Sequence, residues 1–126
     1  MKEALSKTIR SCGVQSRRAG NKYYELGERE LKAGRKKEAL DSFSKAKANM
    51  LANKNATIKY PLLLMRLASL HLNSGDIEGC IEGALDSIKQ FDEYDKNSGA
   101  PSLTEGYKIK TYEVLARAYE ISLKRT

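Results

Sequence analysis

The sequence predicts an all-α fold, about five to six helices set as tandem antiparallel pairs. Three observations lead there. Apolar residues recur at helical spacing in every long segment. Alternation with a period of two is absent. The breaks between segments are short and carry helix-stop residues, so successive helices must fold back on one another. The spacing predicts helices over 2–15, 17–33, 36–54, 58–73, 77–95 and 103–124.

Each boundary has a chemical reason. At 33–34 an Ala-Gly pair ends a helix, with Gly34 supplying the left-handed residue that helix ends favour. Gly75 does the same in Asn-Ser-Gly-Asp, and Asp76 is placed to cap the helix that follows. Pro61 suits a first turn, where its missing N–H costs little. Residues 97–105 read as the clearest loop, and Ser102 and Glu105 have capping-box spacing, which starts a helix near Leu103.

The chain also repeats itself. From Tyr23 the steps to Leu26, Gly27, Gly34, Ala39, Phe43 and Ala46 recur without a gap from Leu64 to Leu67, Ala68, Gly75, Cys80, Ala84 and Ser87. A third start at Tyr112 reaches Leu115, Ala116 and Tyr119. Such self-similarity governs a fold. A small residue in the first helix of a pair lets the second approach, so Gly27 is expected against Ala39 or Phe43. Tyr23 and Phe43 are expected to fill the groove between pairs.

Composition bounds the rest. With 126 residues, one domain is the natural reading, and 40% apolar with 31% charged residues is globular. Neither Cys12 nor Cys80 belongs to a C-x-x-C pair, and both are expected to stay reduced, Cys80 buried near Ala68. No apolar run approaches the roughly 20 residues that cross a bilayer. The first residues lack the apolar stretch of a signal peptide. A cytoplasmic location follows as the expectation, with the nucleus as the other option. The net charge of +7 is uneven: residues 1–60 hold 15 Lys and Arg against 6 Asp and Glu, residues 61–126 hold 8 against 10.

The repeated slots resemble the tetratricopeptide repeat family, whose pattern is an aromatic, Leu-Gly, Tyr, a turn Gly, then Ala, Phe and Ala. "YYELGERELKAGRKKEALDSFSKA" and "YEVLARAYE" carry it, and "LMRLASLHLNSGDIEGCIEGALDS" is in phase. The resemblance covers about 20–124, with repeats at about 20–56, 61–100 and, in part, 109–126. Glu30 and His71 stand where the family prefers Tyr, and Ala84 where it prefers Phe. Gly27 to Ala68 is 41 residues and Ala68 to Ala116 is 48, against about 34 in the family, so lengthened second helices are expected. Residues 1–18 form a separate N-terminal element, a cap or the remnant of a preceding repeat, and 19–126 the repeat domain. "AGRKKEALDSFSKA" also resembles a microtubule-interacting-and-transport bundle, which leaves 77–124 without a role.

No catalytic constellation emerges. His71 is the lone histidine, at a slot that packs; no P-loop exists. Asp92, Glu93 and Asp95 read as a solvated helix end, and no metal or cofactor site is expected. The resemblance implies a non-catalytic interaction module or scaffold that binds a peptide or partner helix in a concave groove. By phase its lining is Asn21, Tyr24, Glu28 and Lys32, then Met65, Ser69 and Asn73, then Lys110, Glu113, Arg117 and Glu120. Of the slots with which some members clamp a C-terminal carboxylate, only Lys110 agrees. The alternative is nucleic-acid or acidic-surface binding through Arg17, Arg18, Arg35, Lys36 and Lys37. That row reads as a solvated face before it reads as an RNA site, because aromatic residues are not interleaved with it.

Overall fold

The computed structural model describes residues 17–53, 57–99 and 104–125. Five helices and no strand occur among them: α1 Arg17–Lys32, α2 Lys36–Ala52, α3 Lys59–Ser74, α4 Ile77–Ser98 and α5 Glu105–Arg125. The fold is all-α and built of neighbouring helix pairs. Contacts divide the chain into two compact units, residues 1–55 and 56–126. The helix expected over 2–15, with Cys12, lies outside the described residues.

In the first unit α1 and α2 pack as a hairpin. Gly34 turns it with φ 79°, and the Arg35 N–H donates to the Glu30 carbonyl at 2.8 Å. Gly27 lies under the ring of Phe43, which is fully buried. The Phe43 ring meets Tyr24 edge-on, centroids 5.7 Å apart. Phe43 thus fills the inside of its own pair. Glu30, at a slot where an aromatic was the pattern, is buried and accepts a hydrogen bond from Ser42 across the pair. That bond satisfies a carboxylate oxygen that burial would otherwise leave at a cost.

In the second unit α4 lies along α3, and α5 lies along α4. Gly75 (φ 88°) ends α3, and Asp76 caps α4 by accepting the Gly79 N–H at 3.0 Å. Ser87 donates to the Pro61 carbonyl at 2.9 Å, locking the pair at its other end. Ala68, Ile77, Cys80, Ala84, Ile88, Leu115 and Ala118 form one apolar cluster. Burial, and then the charge of Asp76, push the Cys80 thiol above its usual pKa.

Two boundaries differ from expectation. α4 runs to Ser98, because the left-handed stop is Gly99 at φ 68°. α5 begins at Glu105, and the Thr104 carbonyl accepts the Lys108 N–H at 2.9 Å. Ser102 lies outside the described residues. Thr104 is fully buried, and its hydroxyl donates to Asp95 on α4. Lys108 reaches the same carboxylate at 2.8 Å and Asp92 at 3.2 Å. Tyr107 stacks on Phe91, centroids 5.9 Å apart. These contacts tie the start of α5 to the end of α4.

Candidate interaction surface

The last helix has two faces of different character. Thr111, Leu115 and Ala118 are buried, and Val114 and Ile121 pack against the apolar cluster of the second unit. The opposite face carries Ile109, Tyr112, Ala116, Tyr119 and Leu123, all exposed. Their steps of three and four residues place them on one stripe. Ile109 and Tyr112 are each 53% exposed, Tyr119 45% and Leu123 74%. Scattered exposed apolar residues are ordinary, but a contiguous row marks an interaction site. Beside this row runs a second one, Lys110, Glu113, Arg117, Glu120 and Lys124, which alternates in charge and is also exposed.

The expected groove residues fall in both units. In the first, Lys32 is exposed, while Asn21 and Glu28 are half-buried. In the second, Asn73, Lys110, Glu113, Arg117 and Glu120 are exposed, and Ser69 is half-buried. Two members need correction as solvent-facing side chains. Tyr24 and Met65 are buried, at 7% and 8% exposure. Tyr23, expected inside, is instead half-buried, with the Lys45 ammonium 5.7 Å from its ring centroid. The reason is close approach. Gly20 lies against Asn49 and Gly27 against Phe43, so α2 comes near enough to cover Tyr24 as well. α3 is apolar nearly all round, burying Tyr60, Pro61, Leu63, Leu64, Met65, Leu67, Ala68 and Leu70, and such a helix has little free face.

Of the basic set, Arg18, Arg35, Lys36 and Lys37 are exposed, and Arg17 begins α1. Exposed Lys22, Arg29 and Lys32 extend the positive charge along α1. With Tyr24 buried and Tyr23 half-covered, this surface lacks an open aromatic platform for bases.

His71 Nδ1 lies 3.2 Å from Asp76 Oδ2, at the turn that Asp76 caps. Among the described residues no group of three or more His, Cys, Asp and Glu could hold a metal ion. Leu85, Ile88, Lys89, Asp92, Glu93 and Lys96 of α4 line an open furrow of about 420 Å³. No helix among the described residues is long and apolar enough to cross a membrane. The signal that could have found the α5 stripe was already in the repeat: Tyr112, Ala116 and Tyr119 are the slots by which the third start was recognised. The chain matches no protein-family model, no curated protein and no solved structure.

Proposed function

We propose that the chain is a non-catalytic interaction module of tetratricopeptide-like helix pairs and that the outward face of α5 is its docking surface. One observation carries this reading: two tyrosines, an isoleucine and a leucine stand 45–74% exposed on a single stripe, while the other face of the same helix packs normally. Tyrosine supplies large contact area with a polar tip and is common at interface hot spots. Arg117, alongside the stripe, belongs to the same surface.

A second reading rests on the exposed cations Arg18, Arg35, Lys36 and Lys37, which suit an acidic or nucleic-acid partner. A photo-crosslinking residue at position 119, and separately at position 36, separates the two in extract of the cells that make the protein. Discrete adducts from 119 that Tyr112→Ser removes support the α5 surface. Adducts only from 36, lost steeply as salt rises, transfer the function to the basic face.

A further inference from the structure

The contacts within each helix pair show which face of a first helix receives the second. In the first pair Gly20 meets Asn49, Gly27 meets Phe43, and Glu30 bonds to Ser42. In the second pair Pro61 bonds to Ser87, Ala68 lies against Gly83, and His71 pairs with Asp76. Pro61, Ala68 and His71 each stand 41 residues after Gly20, Gly27 and Glu30. A further 48 residues bring Ile109, Ala116 and Tyr119. These are members of the exposed stripe. The face that takes a helix in both pairs is therefore open on α5, and its residues occupy the same sequence slots as those of the α1–α2 and α3–α4 interfaces.

Size then says what kind of helix fits. Where the first helix has Gly27, the second brings Phe43; a Cβ on Gly27 would sit 2.8 Å from two ring carbons. Where the first helix has Ala68, the second brings a small residue: a Cβ built on Gly83 would lie 3.5 Å from the Ala68 Cβ, an ordinary contact. α5 carries Ala116. A Phe at that level would collide with the alanine methyl, and a glycine or alanine would not.

We infer that the α5 stripe docks an amphipathic helix of a partner chain, antiparallel to α5, with a small residue over Ala116 as α4 places Gly83 over Ala68. This rests on the α5 surface being the docking surface. The probes are two labelled peptides, residues 77–98 and residues 36–53 of this chain, each with a scrambled control, titrated with the full chain by fluorescence anisotropy. The expected result is that the 77–98 peptide binds better than its scramble and better than the Phe-bearing 36–53 peptide. Ala116→Leu should weaken it by about tenfold or more, the scale of an overpacked contact. Ala116→Gly should shift preference toward the 36–53 peptide. Residue 116 is exposed, so circular dichroism of these variants should match the parent. If Tyr112→Ser with Tyr119→Ser abolishes binding but Ala116→Leu does not, the surface stands and the small-residue slot is overturned. If no α5 substitution changes binding, both readings fall.

Discussion

Replacing Gly27 with alanine sets two ordinary effects against each other. Alanine is the better helix former by about 1 kcal/mol. Its methyl, however, would sit 2.8 Å from Cδ1 and Cε1 of Phe43 and 3.0 Å from Cζ. Carbon contacts are comfortable at about 3.5–4.0 Å, so ring or helix must withdraw by roughly 0.7 Å. The ring has little freedom to do so, being fully buried and held edge-on by Tyr24. Overpacking of this kind costs about 1–3 kcal/mol. The net expectation for Gly27→Ala is a loss of about 0–2 kcal/mol, and Gly27→Leu should fall at or beyond the upper end of the overpacking range. Urea unfolding followed by far-ultraviolet circular dichroism measures both. A Gly27→Ala protein about 1 kcal/mol more stable than the parent would mean that helix propensity acts alone. The sharper form is a cycle with Phe43→Leu. A smaller side chain at 43 leaves room for the methyl, so the double variant should recover at least about 1 kcal/mol relative to the sum of the singles. Additivity would refute the packing argument.

Further outcomes follow from other contacts. Gly75→Ala should destabilise by about 1–2 kcal/mol, because its φ of 88° is left-handed. Gly106→Ala, with nothing within 4 Å of its Cβ position, should stabilise by about 0.5–1 kcal/mol; thermal melts of the two should move in opposite directions. Cys80 is fully buried with its thiol pKa raised, so a thiol reagent should label it slowly in native protein and fast in urea, and fast native labelling would contradict the packing. The hydrogen bond from Lys108, then that from Thr104, hold the Asp95 carboxyl below its usual range. Its contribution to stability is therefore present above the unfolded value of about 3.9 and lost as pH falls through the lower folded value. Lys108 is raised, first by Asp95 and then by Asp92, so its contribution holds below its unfolded value and is lost as pH rises through the folded one. Melting against pH should show both limbs in the parent and smaller ones in an Asp95→Asn, Lys108→Met variant.

The helices were legible because their signals are local. Gly34, Gly75 and Asp76 act through the backbone of their own turn, and each behaves as its residue type dictates. The ends that shifted depend on partners distant in sequence. Thr104 is anchored by Asp95, nine residues away, and α5 begins just after that contact. Likewise Glu30 looked like a departure from pattern until Ser42 was seen to meet it across the pair.

Tyr23 and Tyr24 show why the candidate site was harder to read than the fold. Adjacent positions on a helix differ by about 100°, so a periodic pattern cannot say which of two neighbours lies just inside the buried arc. That arc widens where a neighbouring helix comes close, and how close it comes depends on the small residues at the contact. Gly20 and Gly27 draw α2 in, and Tyr24 goes under with Phe43. The same logic works in the other direction on α5. A third start of the repeat falls on Tyr112 and reaches Ala116 and Tyr119. In the structure they are exposed. On the proposed reading, the size of residue 116 sets what an incoming helix can place against α5, as Gly27 and Ala68 do for α2 and α4.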